Sequence, residues 1–181
     1  RDYDAAGVSV VAVALLHSYL NAAHELEVAS IFSEVAPNIT VVLSSAVLPE
    51  LREYERTLAT ALNACLIPIL DQHLDGLQSD AKGNAPGVWL MQSDGGLANA
   101  VSVAHRPLAT ALSGPGAAVV GMRWLGEVSG YNDIVTLDVG GTSTDVALIK
   151  DGRYALTTSG EVAGFPVKTP MLDVLSIGAG G

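Results

Sequence analysis

With 181 residues, 49% hydrophobic and only 5% aromatic, the chain can fill one large core or two small ones, built from Ala, Val and Leu rather than from rings. A formal charge of −10, with nine Lys and Arg spread thinly, argues against non-specific binding to nucleic acid or anionic membranes. The lone Cys65 precludes an intrachain disulfide, no apolar run reaches the roughly 18 residues of a membrane span, and Asp2 and Asp4 stand where a signal peptide would be basic, so a cytoplasmic chain is expected.

The apolar run Val8 to Leu16 predicts a strand buried on both faces. Asn21 is placed to cap a helix over Ala22 to Val35, with Glu25 in the first turn and Leu26, Ala29 and Ile31 broadly on one side. Pro37-Asn38 breaks that helix, and Thr40 to Leu43 supplies a second strand, completing a β-α-β unit. Pro49 suits a first helical position and Glu50 complements the helix dipole. Leu51, Tyr54, Leu58, Ala61, Leu62, Cys65 and Ile69 then recur at three- and four-residue spacing. That pattern predicts one long amphipathic helix to about Leu77, bent at Pro68, with Cys65 in the core. Polar, breaker-rich Ser79 to Gly87 reads as a linker between a first domain, 1–78, and a second, 88–181.

Beyond the linker, Val88 to Met91 predicts a strand that empties into Gln92-Ser-Asp-Gly-Gly96, followed by a helix over Ala98 to His105. Ser113 is placed to cap a helix that starts at Gly114-Pro115, runs to about Val128 and stops at Gly130; its small residues admit a close neighbour. The chain has no initiator Met and stops within Ser176-Ile-Gly-Ala-Gly-Gly181, which favours an excised fragment over a natural chain.

The most informative run is Asp138-Val-Gly-Gly-Thr-Ser-Thr-Asp145. Apolar Ile134 to Leu137 delivers an acid into a glycine pair, hydroxyl residues and a second acid follow, and Val146 to Ile149 resumes the apolar pattern. Asp151-Gly152 then signals a two-residue hairpin. Gly140 and Gly141 let backbone N–H groups approach an anion closely, and Thr142 and Thr144 add hydroxyl donors. Asp138 suits a hydrated Mg²⁺ better than direct phosphate contact, which its charge would oppose. A nucleotide-phosphate turn of the actin, sugar-kinase and Hsp70 type fits this pattern; an ordinary glycine hairpin, with Asp145 bonding turn amides, is the plainer alternative.

Elsewhere the signals are weaker. Gln92 to Gly96 ends a strand where α/β folds place ligand loops, so Asp94, Gly95 and Gly96 could line a transferred phosphate or the substrate; a plain left-handed turn explains it equally well. The Glu50 to Arg56 cluster reads as a solvated helix face with intrahelical ion pairs rather than a binding site. His17, His24, His73 and His105 lack ligand spacing with one another or with Cys65. No nucleophile elbow, Walker loop or dinucleotide fingerprint is present.

Several segments carry a family resemblance in order along the chain: Leu16-His-Ser-Tyr19, Asn21-Ala-Ala-His-Glu25, Ser44-Ser45, Leu48-Pro-Glu-Leu-Arg-Glu-Tyr-Glu-Arg-Thr57, Met91-Gln-Ser-Asp-Gly-Gly96, Leu112-Ser-Gly-Pro115, the Asp138 to Asp145 turn and Ile177-Gly-Ala-Gly-Gly181. Together they resemble the hydantoinase A / 5-oxoprolinase family, which includes subunits of acetone-type carboxylases. The resemblance spans essentially the whole chain. It implies an α/β, actin-like ATPase (ribonuclease H-like) fold, present here in part: the end of the first lobe over 1–78 and the start of the second over 88–181. It also implies an enzyme that uses ATP and Mg²⁺ to phosphorylate a cyclic amide, imide or carbonyl oxygen, activating the substrate for ring opening or carboxylation, often with a B subunit or domain. The implied catalytic residues are Asp138, Asp145 and Asp94. Gly140, Gly141, Thr142, Ser143, Thr144, Gly95, Gly96 and Gly114 would hold the nucleotide, and Asp138 would hold Mg²⁺ through water.

Two parts of the family pattern are missing. A first Asp-aromatic-Gly-Gly-Thr turn is absent, and the adenosine-binding region should lie beyond Gly181. Asp94, Val139 and Gly116 stand where the family usually shows Asn, Met and Ala. The alternatives are a non-catalytic scaffold that holds a partner subunit and another actin-like protein such as a sugar kinase or Hsp70-type chaperone. Exposed lobe surfaces could also drive homodimerisation.

Overall fold

The computed structural model describes residues 6–81, 87–162 and 164–180. The chain forms two units, each assembled from separate stretches. The first comprises Arg1–Val88, Ala100–Leu108 and Glu161–Lys168; the second comprises Trp89–Asn99, Ala109–Gly160 and Thr169–Gly181. A single division near 79–87 is therefore too simple, because residues 100–108 and 161–168 group with the N-terminal stretch. Of the expected linker, Ser79 to Ala81 belong to a helix and residues 82–86 lie outside the described residues.

In the first unit, β1 (Val10–Val13) and β2 (Thr40–Leu43) pair in parallel, with Val10 opposite Thr40. The crossover between them is α1 (Ala23–Val35), as the β-α-β pattern predicts. Asn21 Oδ1 accepts from the Ala23 N–H at 3.0 Å, satisfying one orphan donor at the helix start. β1 is shorter than expected and only part-buried; Leu16 and Leu20, beyond it, are exposed.

A short helix, α2 (Ser44–Val47), precedes α3 (Glu53–Ala81), which runs without interruption through Pro68. The long helix starts later than Pro49 predicts, after Arg52 at φ +83°. Its inward face is also rotated from the expected one. Arg56, Ala59, Thr60, Asn63, Ala64, Ile67 and Leu74 are buried, while Leu51, Tyr54, Ile69 and Cys65 are exposed. The periodicity follows the apolar residues, but polar side chains that find partners take their place. Asn63 donates to the His105 carbonyl at 3.1 Å and accepts from the Leu108 N–H at 3.2 Å. These bonds tie α3 to α4 (Ala100–His105) and the 3₁₀ turn Pro107–Thr110. One core cluster joins Leu48, Ala59, Leu108 and Val167; another joins Val42, Ala64 and Ile67.

The cluster around Arg56 is not a solvated helix face. Arg52 and Glu55 do form an exposed pair at 3.0 Å, and Lys168 pairs with Glu50 at 2.8 Å. Arg56 itself is 1% exposed. Its guanidinium donates to Ser44 Oγ (3.2 Å), the Glu50 carbonyl (2.8 Å) and the Leu15 carbonyl (3.0 Å), and lies 5.5 Å from the centre of the Tyr19 ring. Buried Glu25 completes this network. Its carboxylate accepts from the Leu15 N–H (2.9 Å), Ser44 Oγ (2.7 Å) and the Ser45 N–H (2.9 Å). Burial opposes its charge, but these hydrogen bonds, from Ser44 first, outweigh that and hold its carboxyl at about 2. The Leu16–Tyr19, Asn21–Glu25, Ser44–Ser45 and Leu48–Thr57 segments thus meet in one buried polar knot.

In the second unit, β3 (Trp89–Met91) and β4 (Leu97–Asn99) form a hairpin, so the helix expected from Ala98 begins at Ala100. α5 (Ser113–Ser129) follows, with Ser113 inside the helix rather than capping it. Gly130, at φ +81°, ends it in the left-handed conformation that glycine adopts without a Cβ penalty. The helix packs on a sheet in which the strand Thr144–Lys150 lies between Val174–Ile177 and Ile134–Val139, with β7 (Arg153–Tyr154) also paired to Thr144–Lys150. Here β5 is Ile134–Val139, β6 is Thr144–Lys150 and β12 is Val174–Ile177, all antiparallel. Asp151 and Gly152, at φ +52° and +69°, make the predicted two-residue turn between β6 and β7. A core of Val119, Ala147, Ile149 and Leu172 joins helix to sheet. The remaining strands are short: β8 (Leu156–Thr157) pairs with β11 (Met171–Leu172) in this unit, whereas β9 (Gly160–Val162) pairs with β10 (Phe165–Val167) in the stretch that groups with the first unit.

Candidate nucleotide-phosphate site

The strand pairing determines where the two acids of the glycine turn stand. Asp138 on β5 is directly opposite Asp145 on β6, and Ser176 on β12 is opposite Asp145 from the other side. Alternation places these three residues on the same sheet face as buried Thr136 and Ala147, the face that α5 covers. Ser176 Oγ donates to Asp145 Oδ1. Asp138 is exposed and makes no side-chain hydrogen bond or ion pair among the described residues. Like charges directly opposite on neighbouring strands repel. A carboxylate pair of this kind, one member unpartnered, fits a hydrated divalent cation, whose charge would relieve the repulsion.

Gly140 to Ser143 connect the two strands. The Gly140 N–H donates to the Ser143 carbonyl at 2.8 Å, so it closes the turn instead of facing outward. Gly141 and Thr142 are exposed, and a Cβ on Gly141 would meet nothing within 4 Å. The Thr144 hydroxyl, expected to face an anion, donates to the Ala179 carbonyl. The turn therefore offers the Gly141–Thr142 stretch as its exposed apex, with Asp138 at its base.

Beside Asp138 lies an open, largely apolar groove of about 410 Å³ between α5 and β5, lined by Ala117, Ala118, Gly121, Leu125 and Leu137 among others. A second hollow of about 420 Å³ continues along the same helix past Met122 and Leu125 to Tyr131 and Asp133.

The Gln92 to Gly96 loop forms a separate cluster in the same unit. Asp94 Oδ1 accepts from the Gly96 N–H at 2.8 Å, and Gly95 sits at φ +84°. That is the Asx-type turn with a left-handed residue that the plainer reading describes. Ser93 anchors it: 1% exposed, it bonds the Ala109 carbonyl (2.7 Å), the Leu172 N–H (2.8 Å) and the Leu112 N–H (3.0 Å). A Cβ on Gly116 would lie 3.3 Å from the Gln92 carbonyl oxygen, so the first turns of α5 pack directly on this loop. Gly114, by contrast, has open space around it.

Among the sequence's candidate site residues, Ser93, Ser176 and Gly180 were not named, whereas the close approach at Gly116 agrees with the small-residue reading of its helix. Gly180 had a signal, the glycine-rich Ile177 to Gly181 run. Ser93 had one in the Met91 to Gly96 segment, but its own role and that of Ser176 rest on partners far away in sequence.

The chain belongs to the hydantoinase/oxoprolinase family, whose model matches residues 56–181. It is 30% identical to caprolactamase subunit alpha from Pseudomonas jessenii over 96% of its own length and 25% of the relative's. It is 36% identical to 5-oxoprolinase 1 from Arabidopsis thaliana over 97% of its own length and 14% of the relative's. Among solved structures, the crystal structure of ATP-dependent caprolactamase from P. jessenii matches with a TM-score of 0.88 at 29% identity, covering 99% of this chain and 26% of that one. Nucleotide-free acetone carboxylase matches at 0.76 and 30% identity, covering 99% and 26%. The fold is thus that of hydantoinase-family enzymes. The chain spans about a quarter of the length of the first relatives it matches, 28% in one case and 25% in another.

Proposed function

We propose that this chain is the central part of an ATP-dependent enzyme that phosphorylates the carbonyl oxygen of a cyclic amide, imide or ketone, activating it for hydrolytic ring opening or carboxylation. The observation that carries this reading is the β5–β6 turn: a solvent-open glycine loop over two carboxylates in register, in a chain whose solved relatives are named for ATP-dependent caprolactamase and ATP-dependent acetone carboxylation. The two units are read as the end of one lobe and the start of the next in an actin-like ATPase, with α5 as the connecting helix.

Each role follows from charge and reach. The Gly141–Thr142 stretch would offer backbone dipoles to the β- and γ-phosphates, and Ser143 would add a hydroxyl. Gly140 shapes the loop through its bond to Ser143. Asp138 and, beside it, Asp145 would hold hydrated Mg²⁺. When bound, the ion supplies positive charge against the phosphate oxygens. Asp94, Gly95 and Gly96 would line the transferred phosphoryl group or the substrate, and Gly114 would present the N-terminal end of α5. Catalysis on this reading is positioning and charge neutralisation. Relatives named as alpha, beta and gamma subunits support a partner subunit for the parent protein.

Asp138→Ala in the intact enzyme tests the reading. It should abolish ATP-dependent turnover while leaving the circular-dichroism spectrum and melting temperature near wild type; near-normal turnover would overturn the assignment. Calorimetric titration of the 181-residue chain with Mg²⁺·ATP complements it. Weak or absent binding is expected of one phosphate turn without its counterpart, and tight Mg²⁺-dependent binding would show a self-sufficient site.

A further inference from the structure

The glycine-rich segment after β12 touches the phosphate turn directly. A Cβ on Gly180 would lie 2.5 Å from the Thr142 nitrogen and 2.6 Å from the carbonyl carbons of Gly141 and Thr142. Such separations are not tolerated, and the obstacles are backbone atoms that cannot rotate aside. Only glycine lets the segment seat on that peptide. Side-chain bonds pin the same segment from β6: the Thr144 hydroxyl donates to the Ala179 carbonyl, and Ser176 Oγ donates to Asp145. The Ala179 N–H folds back on the Ile177 carbonyl at 2.7 Å.

The turn is therefore braced twice. Inside, Gly140 bonds Ser143; outside, the Gly178–Gly180 segment lies against its apex. A Gly-Gly loop without a brace samples many backbone states, and ordering it on binding would cost affinity. Donors fixed in advance avoid that cost.

We propose that Thr144 and Gly180 are positioning residues for the phosphate turn. Thr144 anchors the Gly178–Gly180 segment, and Gly180 lays it on the Gly141–Thr142 peptide so that the turn's amides hold one orientation before the nucleotide arrives. The inference rests on the ATP reading above and gives Thr144 a role other than the nucleotide contact that the family resemblance implies: its hydroxyl serves the brace.

The test uses the intact parent enzyme with Thr144→Val, Thr144→Ser and Gly180→Ala. Valine keeps the branched shape in the strand and loses the hydroxyl; serine keeps the hydroxyl. Thr144→Val and Gly180→Ala should raise the KM for ATP by about tenfold, the order expected for one lost hydrogen bond or seating contact. The KM for the amide or carbonyl substrate should stay unchanged, and Thr144→Ser should behave as wild type. Hydrogen exchange in the nucleotide-free enzyme should speed up at 140–143 and 176–180 in the Val and Ala variants and nowhere else. Unchanged exchange at 140–143 in Thr144→Val, with a wild-type KM for ATP, would overturn the proposal. Exchange needs no nucleotide, so it decides the brace even if wild-type turnover proves independent of ATP, a result that would sink the functional reading alone.

Discussion

Glu25, in the first turn of α1, and Asp138, near the end of β5, are both carboxylates, and their surroundings differ in burial, partners and neighbouring charge. Glu25 is fully buried, accepts from three donors and sits in a knot with Arg56, whose guanidinium reaches two backbone carbonyls and Ser44. Asp138 is exposed, has no side-chain partner among the described residues and faces another acid across the ladder. A saturated polar cluster has no capacity left for a ligand, so the first works as a fastener. An unpartnered carboxylate beside a like charge and an open glycine turn keeps its capacity, which is what a ligand site requires. The contrast explains why ordered sequence motifs of one family can serve unlike purposes within one chain.

The contrast is broken most forcefully at Arg56. Arg56→Ala would strand the Leu15 and Glu50 carbonyls and take a donor from Ser44 Oγ, and should destabilise the protein by about 2–4 kcal/mol in urea titration. Asp138→Ala should stay within about 0.5 kcal/mol of wild type in the same assay, because it removes no partner. Equal losses in the two variants would erase the distinction between fastener and site.

Acid sharpens the same comparison by a smaller amount. The Glu25 carboxyl is held at about 2 in the folded chain against an ordinary 4.5. A depressed folded value means its contribution is complete above about 4.5 and is lost as pH falls toward about 2. Melting temperatures should fall across that window, and Glu25→Gln should start lower and flatten the slope. A variant slope equal to wild type would place the acid sensitivity elsewhere. The smallest effect belongs to the Lys168–Glu50 pair. It lies at the surface, so Lys168→Ala should cost less than about 1 kcal/mol, and the loss should shrink further in high salt.

How much of this was legible in the sequence depended on the range of the interaction. The β5–β6 turn, the Asp151-Gly152 hairpin, the β1–α1–β2 crossover and the Gly130 stop follow from neighbouring residues, and each was readable. The inward face of α3 was misread because Arg56, Thr60 and Asn63 are polar, and nothing nearby in sequence shows that Ser44, Leu15, His105 and Leu108 will receive or supply their hydrogen bonds. Cys65 went to the wrong side for the same reason. At the turn, residue types suggested an anion cradle, but two of its donors are engaged: the Gly140 N–H within the loop and the Thr144 hydroxyl with Ala179, 35 residues away.

The interleaving of the two units has a consequence for how the chain is made. The core cluster of Leu48 and Ala59 is completed by Leu108 and Val167, with Val162 packed against it. As synthesis proceeds from the N-terminus, the first unit must wait with an unfilled core until nearly the whole segment has emerged. Contacts so distant in sequence slow folding and leave apolar surface open meanwhile, the period in which nascent chains call on chaperones. A stop or a damaging substitution near residue 167 should therefore injure the N-terminal unit as much as the unit in which the phosphate turn lies.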